Sequence, residues 1–178
     1  LKEAALCEHE EATCLLAYIF ACDSKPESRE YAFKIASFAA DLENVNGFYN
    51  LGIFYSFGVG VKPNVVMSAI NFKIAADRGD VSSMMEYANT LMRVGEHEFD
   101  HEELKEQIKE AEKIIFQGEG KANYIYNETR LTIEALENEY VALYVSKRYF
   151  QKAMIKGNKE AKQKYLLIEK NHNNYNDH

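Results

Sequence analysis

Gly47-Phe48-Tyr49-Asn50-Leu51-Gly52-Ile53-Phe54-Tyr55-Ser56-Phe57-Gly58-Val59-Gly60-Val61-Lys62-Pro63-Asn64-Val65-Val66-Met67-Ser68-Ala69-Ile70-Asn71-Phe72-Lys73-Ile74-Ala75-Ala76-Asp77-Arg78-Gly79 is the stretch whose reading decides the fold. Phe48, Leu51, Gly52 and Tyr55 follow the i, i+3, i+4, i+7 spacing of one helix face. Ala69, Phe72, Ala75 and Ala76 do the same further on. Between them, Gly58 to Asn64 is rich in helix breakers and reads as a turn. Asn64 suits the N-cap of the second helix, its side-chain oxygen accepting a backbone N–H. Gly79 stands where that helix should stop, since glycine takes a left-handed conformation without a Cβ penalty. The stretch is therefore a helical hairpin.

Working outward, the hairpin recurs. Small residues stand at Ala12, Gly47, Ser83, Ala122 and Ala161, in steps of 35, 36, 39 and 39 residues. Eight positions before each are Ala4, Ala39, Ala75, Ile114 and Ala153, and four before the last three are Gly79, Gly118 and Gly157. A period in this range is the signature of stacked repeats. The small column has a physical reason, because two helices approach to ~8 Å only where the side chains between them are small. Ala17, Gly52 and Ala88 extend the seam, while Leu51, Tyr55, Tyr87 and Leu91 fill the space between pairs. No single hairpin buries its apolar face alone, so stability comes from stacking.

The spacing predicts an all-α chain with helices at about 9–21, 28–42, 45–57, 64–78, 81–94, 101–117, 120–136, 138–156 and 159–170. The repeats are expected at 9–44, 45–80, 81–118 and 120–157, with partial helices at 1–8 and 159–170. The polar, Asn-rich residues 171–178 are expected to be a disordered tail. The chain starts at Leu1 rather than Met and reads as an excised segment.

One portion carries a family resemblance. Tyr55, the Gly58-Val59-Gly60-Val61 turn, Asn64, Ala69, Phe72 and the Ala75-Ala76-Asp77-Arg78-Gly79 ending together resemble the Sel1-like repeat. The full match covers residues 47–79; flanking repeats keep the second-helix alanines and lose the turn. The resemblance implies a right-handed α/α superhelix, a solenoid of four to five stacked helix-turn-helix repeats similar to tetratricopeptide arrays. It implies a non-enzymatic scaffold or adaptor that binds partner proteins, with no shared catalytic residues and no cofactor. Because relatives include subunits of the endoplasmic-reticulum degradation machinery, it also admits the lumen of that compartment. A structural subunit buried within a larger assembly is the alternative of the same fold.

Composition agrees with a folded domain. Apolar residues make up 47% and charged residues 28%, and no apolar run reaches the ~18 residues of a membrane-spanning helix. The net charge of −7 argues against nucleic acid as a partner. Charge is uneven: residues 121–170 hold ten Lys and Arg against six Asp and Glu, and the basic cluster reads as a solvated terminal face. Cys7, Cys14 and Cys22 are too few and too clustered for a disulfide framework. They read as small buried apolar residues, which favours a reducing intracellular compartment.

His97-Glu98-Phe99-Asp100-His101 matches H-E-x-x-H, which in zinc hydrolases puts two imidazoles one helical turn apart with the glutamate as base. Here it falls at a turn among Glu96, Asp100, Glu102 and Glu103, without an evident third ligand. The acidic loop opening a helix is the preferred reading, since carboxylates suit the positive end of the dipole. No metal is assigned, with His97 and His101 the weak candidates. The expected partner surface instead uses first-helix positions free of the packing columns. These are Phe48 and Asn50, Met84 and Glu86, and Asn123 and Ile125, one and three residues after each small residue. On the concave side of a solenoid, Phe48, Met84 and Ile125 would be apolar anchors on a polar surface.

Overall fold

The computed structural model describes residues 10–96, 98–116 and 123–176, with side chains for 12–96, 98–113 and 127–170. Among the described residues every regular element is a helix: α1 (Glu10–Ala21), α2 (Pro26–Asp41), α3 (Val45–Phe57), α4 (Val65–Asp77), α5 (Val81–Gly95), α6 (His101–Phe116), α7 (Asn123–Leu136), α8 (Glu139–Ile155) and α9 (Lys159–Asn176). The chain is an all-α solenoid of stacked helical pairs.

Three junctions between second and first helices share one hydrogen-bond pattern. After α2, Asn44 N–H donates to Ala39 C=O at 3.0 Å; after α4, Asp80 donates to Ala75 at 3.2 Å; after α8, Asn158 donates to Ala153 at 3.0 Å. The residue before each of these is left-handed: Glu43 (φ 61°), Gly79 (φ 100°) and Gly157 (φ 93°). The same Asn44, Asp80 and Asn158 side chains then accept from the N–H of Gly47 (3.2 Å), Ser83 (2.5 Å) and Ala161 (2.9 Å). Each junction thus ends one helix in a Schellman-type turn and caps the next with a single Asx residue. Gly47, Ser83 and Ala161 are buried at equivalent places. Ala12 is exposed, and Ala122 lies outside the described residues.

The junctions also correct the expected pairing. α5 was expected to pair with the following helix, giving repeats 81–118 and 120–157. Instead α5 packs most extensively on α8, α9 then packs on α8, and the stack runs α1–α2, α3–α4, α5–α8, α9. Helices α6 and α7 stand outside that order. They lie on α4, and α7 also meets α8. The reason is in the side chains. Among its described side chains α6 buries the narrow stripe Leu104, Ile108 and Ala111. α8 buries Ala142, Ser146, Tyr149, Phe150 and Ala153 and sets Tyr149 edge-on to Tyr87 of α5, ring centroids 4.8 Å apart. α4 is consequently covered on all sides, with Val66 to Ala76 buried without interruption. A second correction concerns the tail: α9 runs on to Asn176, since no glycine or proline follows Gly157 to stop propagation.

The Gly58–Asn64 turn is built on two left-handed glycines, both at φ 68°. A Cβ on Gly60 would stand 2.2 Å from the Arg29 carbonyl oxygen of α2. Gly60→Ala is therefore expected to destabilise the chain by about 2 kcal/mol, from left-handed strain plus displaced backbone. A lower urea midpoint at an unchanged m-value checks it.

Candidate functional site

Phe48 and Met84, expected as exposed anchors, are core residues at 4% exposure each. Phe48 packs beneath the Arg78 guanidinium, 4.9 Å from its ring centre. The helical spacing that freed them from the small column turns them into the neighbouring pair instead. Asn50 is half-buried and donates from Nδ2 to the Cys14 carbonyl at 3.2 Å, tying α3 to α1. Glu86 is half-buried on α5. The side chains of Asn123 and Ile125 lie outside the described residues.

The concavity next to Glu86 is a groove of about 540 Å³ along the first-helix side of α3 and α5. α3 contributes Ile53 and Phe57, the latter 75% exposed. α5 contributes Glu86, Asn89 and Arg93, spaced i, i+3, i+7 on one face. The far wall is Phe99, Glu103 and Gln107, brought there because α6 docks on the start of α4. Gln107 Oε1 accepts from Val65 N–H at 2.6 Å, while Asn64 Oδ1 accepts from Met67 N–H at 2.8 Å. Two amide donors at the α4 N-terminus are thereby satisfied from two sides.

The polar groups of the groove are unequally matched. Arg93 Nε donates to Glu98 at 2.6 Å and its guanidinium lies 4.6 Å from the Phe99 ring centre. Glu86 has no ion pair among the described residues. Burial holds its carboxyl above the usual range, Glu160 adding to the effect and Lys164 opposing it. Asn89 Oδ1 is buried without a hydrogen-bond partner. Such an acceptor is costly to leave empty.

Glu98 is engaged by Arg93, His101 opens α6 at the surface, and His97 lies outside the described residues. Among the described residues no group of three His, Cys, Asp or Glu could hold a metal ion, and no helix is long and apolar enough to cross a membrane. Cys14 is buried, Cys22 is exposed against expectation, and Cys7 lies outside the described residues. In the basic C-terminal segment, Lys147, Lys152 and Lys164 pair with Glu169, Asp77 and Glu160.

A second polar cluster joins α4, α7 and α8, and composition gave no sign of it. Lys73, 7% exposed, bonds Asp77 at 2.6 Å and Glu128 of α7. Asp77 also accepts from Tyr149 Oη at 2.6 Å and faces Lys152 at 3.4 Å. Burial alone would raise the Asp77 carboxyl, but the bonds from Lys73 and Tyr149 and the charge of Lys152 outweigh it and hold it low. The arrangement clamps α7 onto the stack.

The chain is similar to a Sel1 repeat protein. The crystal structure of that protein, from Oxalobacter formigenes, aligns over 85% of this chain and 75% of its own, at 17% identity with a TM-score of 0.42. No family model and no curated protein matches the chain.

Proposed function

We propose that this chain is a non-enzymatic scaffold that binds partner proteins on the first-helix, concave side of its stack. The observation that supports this is the open groove between α3 and α5. Phe57 stands exposed at its edge, and the half-buried Glu86 carboxyl, without an ion pair among the described residues, lies within it. An apolar anchor beside such a carboxyl is what a protein partner can cover. Of the residues expected from sequence, Glu86 belongs to this surface. Asn50 takes part in holding the neighbouring helices that present it.

The test uses the whole chain and its Phe57→Asp variant as affinity baits, with partners identified by mass spectrometry. Phe57 is exposed, so helicity by circular dichroism should not change. A specific set of partners is expected to be lost with the variant. An identical set on both baits overturns the assignment of the groove.

A further inference from the structure

Resting on the protein-binding reading, we infer that the groove takes a basic peptide segment, with a Lys or Arg side chain donating to Glu86 and an adjoining apolar side chain packed against Phe57. The polar inventory of the lining supports this chemistry. Among the described lining residues the one cation, Arg93, is already engaged by Glu98 and stacked on Phe99. The carboxylates of the lining are not balanced in the same way: Glu86 has no ion pair among the described residues, and Glu103 receives an amide donor from Gln107 at 3.1 Å. Among the described residues the lining offers Glu86 no cation of its own, and the nearby Lys164, which only partly offsets the burial of that carboxyl, is shared with Glu160 at 4.0 Å; a lysine or arginine of the partner supplies the missing charge. An acidic or phosphorylated segment would bring like charge to Glu86.

Half-burial strengthens the argument. A carboxylate partly withdrawn from water is poorly solvated, and the elevated Glu86 carboxyl reflects that. A cation placed beside it replaces lost hydration with a charge-assisted hydrogen bond. The apolar half of the recognition falls to α3. Phe57 is 75% exposed and Ile53 lines the same groove one helical turn away. Partner segments that match should thus carry a basic residue next to an aliphatic or aromatic one.

The experiment pans a phage-displayed random dodecapeptide library against the whole chain, then titrates a fluorescein-labelled synthetic peptide from the selected pool. The pool is expected to be enriched in Lys or Arg adjoining an apolar residue. The peptide is expected to bind about tenfold more weakly to Glu86→Gln and to weaken with added salt. Glu103→Gln, at an exposed position that folding does not need, should give a smaller loss. A pool without basic enrichment, or Glu86→Gln affinity within about twofold of wild type, overturns the basic-segment inference. If Phe57→Asp still abolishes binding in that case, the protein-binding reading stands. If Phe57→Asp binds like wild type, both fall.

Discussion

Replacing Lys73 by methionine is expected to lower stability by about 3 kcal/mol, the cost of removing one partner from a buried ionic group. The ammonium lies between Asp77 and Glu128, on α4 and α7. Methionine fits the volume of the stem but leaves two carboxylates confronting each other in a site 7% exposed at Lys73. Asp77 keeps its bond from Tyr149 and the weaker contact with Lys152, so the loss falls hardest on Glu128 and hence on the docking of α7. Hydrogen exchange should show the amides of α7 released before those of α3 and α5. Uniform loss of protection would mean that the cluster does not hold α7 separately.

The same variant changes the response to acid. Asp77 has a folded carboxyl held below its ordinary value of 3.8. A depressed carboxyl contributes stability that is full above the unfolded value and lost as pH falls through the folded one. Wild type should therefore lose stability as pH drops below about 4, and Lys73→Met, with much of the depression gone, should lose less over that window. Denaturant titrations at neutral pH and near pH 3 check the difference between the two proteins.

How much of this was legible in the sequence differs from element to element. The 47–79 hairpin was readable because each local signal agreed with the others: apolar spacing, the two turn glycines, the Asn64 cap and the left-handed stop. The junctions at 75–83 and 153–161 were readable through Gly79 and Gly157 and the small column, whereas at 39–47 a left-handed Glu43 stands where those have glycine. What could not be read was which helix answers α5. Ser83 and Ala161 are 78 residues apart, two steps of 39, so an interposed α6 and α7 kept the count of a regular array. Periodicity reports spacing along the chain and carries no information about partner choice across it. Burial across the stack escaped in the same way. Phe48 and Met84 occupy the positions a solenoid could expose, and the closeness of adjoining pairs decides that they are inside. The groove was half legible through Glu86; Phe57, Asn89 and Arg93 join it only once α3 and α5 are neighbours.

The tightest of those approaches sets the second large effect. Gly47→Ala is expected to destabilise the chain by at least about 2 kcal/mol, although alanine favours a helix over glycine by ~1 kcal/mol. A Cβ on Gly47 would stand 2.6 Å from the Ala40 nitrogen and 2.7 Å from the Ala39 carbonyl carbon. Both are backbone atoms of the α2 ending, fixed by the hydrogen bond from Asn44 to Ala39. No side chain can rotate away, so α2 and α3 must separate and the propensity gain is overrun. Ser83, the equivalent residue at the next junction, supplies the contrast. It already carries a Cβ at 0% exposure, and its Oγ is buried without a hydrogen-bond partner. Ser83→Ala removes only that unmet hydroxyl and should stabilise by about 1 kcal/mol. Opposite signs at two positions of one column would show that the column marks a place in the fold, while the distance between backbones decides which residue each place accepts. Urea midpoints of the two variants against wild type measure both, and a neutral Gly47→Ala would mean that α2 and α3 do not close as tightly as drawn.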